Sequence, residues 1–292
     1  MRADRRTVLI GAGALALGAC ARATQRATAN PVVLDLSALE ARHGGRLGVS
    51  VATEGRRAAW RGDERFVYCS TFKMYLAAAT LLRVQAGQER LDRAIPITAA
   101  DMVSHAPVTQ PAVGSTLTIE QLMKGTVEVS DNPAANILIR EMGGLEPFRA
   151  FYRGLGDTIT RVDRLEPEMN RLDGDKDTIT PDQSTRNIER LLVSADTPLS
   201  PASKTLLMRW MTETPTGQGR IRAGVPAGWT VAHKTGTGGY GPVNDIGLIL
   251  PPNGAPIAIA VYFHATPDST DAQREAAVAE ATRQALKALG HG

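Results

Sequence analysis

Residues 229–263 read WTVAHKTGTGGYGPVNDIGLILPPNGAPIAIAVYF, and this stretch decides the fold. Three β-rich runs, 229–235, 243–250 and 256–263, are separated by turns of Gly, Pro and Asn. A helix from about 269 to 289 follows and closes the chain. Toward the N-terminus, residues 34–43 (LDLSALEARH) have a helical period and stop at Gly44-Gly45, and 46–51 and the run around Ala58-Ala59-Trp60 read as paired strands. Between these ends the pattern is helical. An apolar helix runs from Ser70 to Ala86 and stops at Gly87; others are expected at about 118–128, 131–142, 145–154, 181–194 and 201–212. Thr180-Pro181 and Ser200-Pro201 each give a cap residue with Pro at the first helical position. The terminal strands must therefore share one sheet, with the middle of the chain forming a helical lobe. The expected division is an α/β subdomain of 33–62 with 213–292, and an all-helical subdomain of 63–212. A site is expected between the lobes, where pockets are commonly built.

The chain has 292 residues with 43% hydrophobic content, enough for one large core or two joined subdomains. Of the formal charge of +3, the leader at 1–19 carries +2, so the remainder is nearly neutral and has no nucleic-acid footprint. The leader reads as an export signal: Arg5-Arg6-Thr7-Val8-Leu9 resembles a twin-arginine signal, and the apolar run Thr7 to Ala19 is short for a membrane span. Leu17-Gly18-Ala19-Cys20 resembles a lipobox, which would place a lipid on Cys20 and anchor a periplasmic protein; ordinary cleavage nearby is the alternative. Residues 20–32 read as a linker. Cys69 is the one other cysteine, so no disulfide framework is expected. The five histidines are scattered, without the spacing of a zinc hydrolase.

A dinucleotide fingerprint offers a second reading. Gly11-Ala12-Gly13-Ala14-Leu15-Ala16 follows a strand-like run, with Asp35 near the distance of a ribose ligand. The polar, Thr/Ala-rich stretch from Ala21 to Pro31 replaces the packed helix that the motif requires. Gly236 to Gly241 also fits the fingerprint, but a strand follows it and not a helix. An oxidoreductase is therefore a remote alternative.

Three motifs stand in order: Ser70-Thr71-Phe72-Lys73, Ser130-Asp131-Asn132 and Lys234-Thr235-Gly236. A fourth segment, Arg164-Leu165-Glu166-Pro167-Glu168-Met169-Asn170, lies between the second and third. Each alone fits a solvated helix face, a helix cap, a strand end or an exposed loop. Jointly they supply a nucleophile, proton carriers, a cation and a carboxylate able to activate water. Ser70 opens a helix, beside unpaired backbone N–H groups and the positive dipole end. Lys73 is three residues on, hence on the same face. A serine needs such a neighbouring base to act as a nucleophile.

The ordered set resembles the class A serine β-lactamases over essentially the whole mature chain. The resemblance implies a β-lactamase/transpeptidase-like α/β (α+β) fold: a five-stranded antiparallel sheet flanked by helices, plus an all-helical subdomain. It implies hydrolysis of penicillin- or cephalosporin-type β-lactams through a Ser70 acyl-enzyme, by a monomer without cofactor or metal. Lys73, or Glu166 through a water, would activate Ser70. Ser130 would protonate the β-lactam nitrogen, and Glu166 with Asn170 would hold and activate the deacylating water. Asn132 would orient the substrate side-chain amide, while Lys234, Thr235 and Gly236 would line the carboxylate side. The Thr237 backbone N–H would join that of Ser70 in an oxyanion hole. A cis Glu166-Pro167 bond and an Arg164–Asp177 ion pair closing the Ω-loop are also implied.

Some positions depart from the family pattern. Val243 stands where many relatives carry a carboxylate-binding Arg, and Arg220 matches the alternative anchor, with Arg274 as a weaker candidate. His105 replaces the usual aromatic gate residue. The Arg164–Asp177 segment looks about two residues shorter than the usual Ω-loop. Cys69 and Thr237 match a carbapenem-hydrolysing branch, yet Gly238 offers Cys69 no disulfide partner. A penicillin-binding D,D-peptidase or a β-lactam sensor shares the three motifs but lacks the Glu166/Asn170 pair.

Overall fold

The computed structural model of the chain describes Met1 and residues 32–291. The expected export signal, Cys20 and nearly all of the linker lie outside the described residues. In chain order the elements begin with β1 (Val32–Val33), α1 (Ser37–His43), β2 (Arg46–Thr53), β3 (Arg56–Trp60) and β4 (Phe66–Val67). A 3-10 turn, Cys69–Thr71, leads into α2 (Phe72–Gln85). Then come β5 (Ala94–Pro96), β6 (Thr116–Thr118), α3 (Ile119–Val129), α4 (Asn132–Glu141), α5 (Leu145–Gly154), β7 (Thr178–Ile179) and α6 (Pro181–Ile188). The chain continues through α7 (Pro201–Glu213), α8 (Ile221–Gly224), β8 (Thr230–Thr237), β9 (Pro242–Leu250), β10 (Ile257–His264) and α9 (Asp271–Ala288).

Strands β3-β2-β10-β9-β8 form the expected five-stranded antiparallel sheet, and the two-residue β1 adds a parallel sixth strand beside β3. The C-terminal strands thus join the N-terminal hairpin through the β10–β2 pairing, with Val261 opposite Val49. Both faces of the sheet are covered, so these strands read as nearly continuous apolar runs. Period-two alternation sorts the side chains. Ala232, Ile246, Leu248, Ala258, Ala260 and Tyr262 pack into the cluster that contains Phe72, Leu76 and Trp210. Val49, Val51, Ile259, Val261 and Phe263 face the opposite way, against Leu39 of α1 and Val278 and Leu286 of α9.

The α2 helix is enclosed along most of its length, Phe72 to Leu81 being buried. Burial of each large apolar side chain contributes roughly 1.5–3 kcal/mol, so the start of α2 sits on a rigid support. Two elements differ from expectation at their ends. The helix expected from Ser70 begins as the 3-10 turn, and the helix expected over 181–194 changes into a π-type turn at Glu189–Val193. Among the described residues no helix is long and apolar enough to cross a membrane.

Candidate active site

The Cys69–Thr71 turn is held from two directions. Thr71 Oγ1 donates to the Tyr68 carbonyl at 2.8 Å. From β9, Asn244 Nδ2 donates to the carbonyls of Val67 at 2.9 Å and Tyr68 at 3.2 Å. Strand β8 presses against the same turn. A Cβ on Gly236 would stand 2.7 Å from the Tyr68 carbonyl oxygen and 3.0 Å from Thr71 N, so only glycine fits this approach. Cys69, His105, Ser130 and Asp177 all adopt positive φ, at 47°, 64°, 59° and 54°. Of these left-handed non-glycine positions, His105 and Ser130 line the cleft, buried Cys69 precedes Ser70, and buried Asp177 pairs with Arg164; the packed scaffold holds all four.

Ser70 is 8% exposed and lies at the N-terminal end of α2, as expected. One turn further on, Lys73 Nζ is buried, 2.9 Å from Ser70 Oγ and 2.8 Å from Glu166 Oε1. It also donates to the Ser130 carbonyl at 2.7 Å and to Asn132 Oδ1 at 2.5 Å. Four oxygens crowd an ammonium that has only three protons, so Ser70 and Glu166 compete for one of them. Burial pushes the Lys73 pKa below its ordinary value, opposed by the Glu166 carboxylate. Ser70 Oγ is 3.5 Å from Glu166 Oε1, and Asn170 Nδ2 donates to Glu166 Oε2 at 2.5 Å. The Ser70 hydroxyl, the Lys73 amine and the Glu166 carboxylate are thus in mutual reach.

Ser130 ends α3 in a left-handed conformation, and Asp131 caps α4 by accepting the Ala134 N–H at 2.8 Å. Asp131 also accepts from the backbone N–H groups of Val108 and Thr109 at 2.8 and 2.9 Å. Asn132 Nδ2 donates to the Ser104 carbonyl at 2.8 Å, and its backbone N–H to that of His105 at 3.0 Å. The Ser-Asp-Asn motif therefore fastens the loop that carries His105. His105 is exposed at the cleft, with its Nε2 2.8 Å from the Val129 carbonyl. From the other side, Lys234 Nζ donates to Ser130 Oγ and to the Thr235 carbonyl. Burial lowers the Lys234 pKa well below its ordinary value, with nearby Lys73 and Arg220 adding to the effect against Asp245 and Glu166.

A cavity of about 270 Å³ opens between these elements, lined by Ser70, His105, Ser130, Asn132, Asn170, Thr216, Arg220, Thr235 and Thr237 among others. Arg220 spends most of its guanidinium on the protein. Its Nη1 donates to the carbonyls of Asn244 at 3.0 Å and Gly236 at 3.3 Å, and its Nε to Glu275 Oε1 at 3.1 Å. Nη2 donates to Thr237 Oγ1 at 2.9 Å. Of the five N–H donors, one Nη2 proton has no partner among the described residues, and the Thr237 hydroxyl proton remains available. A full bidentate fork toward a ligand is therefore not on offer. Arg274 instead donates to Ser269 Oγ at 3.0 Å and to carbonyls of the same loop, outside the cavity lining. Val243 is buried in the cluster against α9 and does not line the cavity.

The Ω-loop closes as expected: Arg164 Nε meets Asp177 Oδ2 at 2.6 Å, and the N–H groups of Asp163 and Arg164 donate to Asp177 Oδ1 at 2.7 and 3.0 Å. The Glu166-Pro167 bond is cis. Cys69 is a free, buried thiol, and a Cβ on Gly238 would lie 3.1 Å from its Sγ. Sequence reasoning missed Asn136, which binds both backbone groups of Glu166; Asn244, which holds the turn that carries Ser70; and Glu275, which pairs with Arg220. Each lies far in sequence from its partner in an unremarkable helix or strand, so no local signal marked it.

A family model described as the beta-lactamase enzyme family matches residues 31–289. A beta-lactamase of Mycobacterium tuberculosis is 41% identical over 295 residues, spanning 95% of each chain. Beta-lactamase CTX-M-6 of Salmonella typhimurium is 37% identical over 274 residues, spanning 92% of each. Among solved structures, an ancestral class A beta-lactamase matches at 47% identity with a TM-score of 0.82, covering 87% of this chain and 98% of the other. The class A beta-lactamase of Mycobacterium abscessus matches at 41% identity and a TM-score of 0.83, with the same coverage. Ordered motifs, fold and relatives converge: the chain belongs to the class A serine β-lactamases and hydrolyses the β-lactam ring.

Proposed function

We propose that Ser70 Oγ attacks the β-lactam carbonyl carbon while its proton passes to Lys73 Nζ, 2.9 Å away, acting in the neutral amine form that burial favours. The backbone N–H groups of Ser70 and Thr237 receive the negative charge that develops on the carbonyl oxygen. When the ring C–N bond breaks, the nitrogen takes a proton from Ser130 Oγ, which is resupplied through the lysines on either side, Lys73 and Lys234. The product is an ester on Ser70. A water held beside Glu166 and Asn170 then loses a proton to Glu166 and attacks the ester, and Ser70 leaves as the alcohol after taking that proton from Glu166 through Lys73.

The observation that carries this reading is the single cluster of Ser70, Lys73, Glu166 and Asn170. A penicillin-binding peptidase or a β-lactam sensor has no use for the last two. Glu166→Ala separates the readings: acylation should persist and the penicilloyl ester should accumulate, visible in the intact-protein mass after mixing with a penicillin. Turnover at the parental rate would remove Glu166 from the mechanism.

On the substrate side, Lys234, Thr235, the Thr237 hydroxyl and the remaining Arg220 N–H receive the carboxylate beside the reacting ring, against the backbone of Gly236. Asn132 receives the side-chain amide, and His105 forms the rim. The cluster on the α1/α9 face of the sheet lies wholly within 33–62 and 213–292, which supports an α/β subdomain of those residues; the other cluster joins the opposite sheet face to the helical 63–212 subdomain. The leader sequence supports export, with Cys20 as the lipid attachment point at the periplasmic face of a membrane.

A further inference from the structure

Behind the carboxylate anchor lies a buried pair that the catalytic scheme does not use. His233 precedes Lys234 on β8, so its side chain points to the opposite sheet face. Its Nδ1 lies 2.9 Å from both carboxylate oxygens of Asp245, and both side chains are fully buried. Asp245 Oδ2 also accepts the backbone N–H of Ile221 at 3.1 Å. Ile221 opens α8 and directly follows Arg220. The other end of the same turn rests on the His233 ring: a Cβ on Gly217 would meet its Cε1 at 3.0 Å, and the Gly217 carbonyl accepts the Arg220 N–H at 3.0 Å. His233 Nε2 has no partner among the described residues.

A buried polar pair of this kind is seldom a net gain over a well-packed apolar one, because desolvation offsets the attraction. What it fixes is geometry. The Nδ1–H donates across the carboxylate. The carboxylate then has a defined orientation from which to hold the Ile221 N–H. The guanidinium of Arg220 departs from this turn to reach the Gly236 and Asn244 carbonyls and Thr237 Oγ1. A shift of the turn moves the Arg220 guanidinium and, with it, the hydrogen bond that orients the Thr237 hydroxyl.

We propose that His233 and Asp245 are positioning residues for Arg220: Asp245 fixes the turn through Ile221, and His233 fixes Asp245. Neither touches the substrate. The proposal rests on Arg220 belonging to the carboxylate anchor. Its signature is therefore a binding defect confined to substrates with a free carboxylate. His233→Leu removes the donor. His233→Asn keeps it, because an asparagine Nδ2 stands as many bonds from Cα as the histidine Nδ1.

The test measures kcat and KM on a chromogenic cephalosporin and on its carboxylate methyl ester. His233→Leu should raise KM for the acid about tenfold, the scale of one charged hydrogen bond, with kcat within about twofold and the ester unaffected. His233→Asn should restore the parental KM. In an Arg220→Ala background His233→Leu should add no further loss, because the two act through one contact. Equal penalties on acid and ester, or an undiminished effect in the Arg220→Ala background, would overturn the proposal. If Arg220→Ala alone penalises acid and ester equally, the anchor assignment fails instead. Should His233→Leu not fold, Asp245→Ala serves: it removes the acceptor of the Ile221 N–H, and the same acid-selective rise in KM is expected.

Discussion

The Asn136 side chain and the Glu166 backbone form a reciprocal pair: Asn136 Nδ2 donates to the Glu166 carbonyl at 2.9 Å, and the Glu166 N–H donates to Asn136 Oδ1 at 3.0 Å. Helix α4 thereby clamps the Ω-loop at the one residue whose carboxylate faces Ser70 and Lys73. Asn136→Ala should leave acylation close to parental and slow deacylation by about tenfold to a hundredfold, the cost of an ångström-scale displacement of a catalytic group. Rapid-quench mass spectrometry would show the acyl-enzyme as the dominant species at steady state. Parental turnover with no accumulated ester would mean that the clamp is dispensable.

Gly236 is required by contact, not by backbone conformation. Gly236→Ala should push β8 away from the nucleophile turn, because the methyl group would overlap the Tyr68 carbonyl. Overpacking of this kind costs about 1–3 kcal/mol of stability, and displacement of the strand should lower kcat/KM by roughly a hundredfold. Thermal unfolding and steady-state hydrolysis read the two effects separately. An unchanged melting temperature would show that the strand can yield.

Lys234 is fully buried, and among the described residues no carboxylate forms a direct ion pair with it. Its pKa is lowered by burial and by Lys73 and Arg220. A lysine with a lowered folded pKa binds fewer protons folded than unfolded. Its cost to stability is therefore full below the folded value and fades as pH rises toward the ordinary ~10.4. Lys234→Met should raise stability by about 1–2 kcal/mol near neutrality while cutting kcat/KM at least tenfold. The stability difference from the parent should shrink with rising pH across that window. A difference that stays constant, or a destabilised variant, would count against a charge held at a cost.

Cys20→Ser tests the proposed anchor. The parent should partition with membranes and the variant should appear in the soluble periplasmic fraction, or remain unprocessed. Identical fractionation of the two forms would exclude lipidation at this position.

The sequence by itself determined the element types and the chemical inventory. Continuous apolar runs with Gly/Pro turns marked β8, β9 and β10. The capped Thr180-Pro181 and Ser200-Pro201 starts marked two helices, and the spacing of Ser70 and Lys73 placed both on one helical face. Those features are local, set by side-chain periodicity and capping within a few residues. Tertiary structure decided how much of each group is left for chemistry. Arg220 read as a candidate carboxylate anchor, and packing against Gly236, Asn244, Thr237 and Glu275 leaves it a single unpartnered N–H among the described residues. Asn136, Asn244 and the His233–Asp245 pair gave no local signal, because their partners lie on other elements and the hydrogen bonds exist only once sheet and helices enclose them. Burial does the rest: Lys73 and Lys234 have the ordinary lysine pKa in an open chain, and exclusion of water in the folded cleft lowers it, joined at Lys234 by the neighbouring cations Lys73 and Arg220.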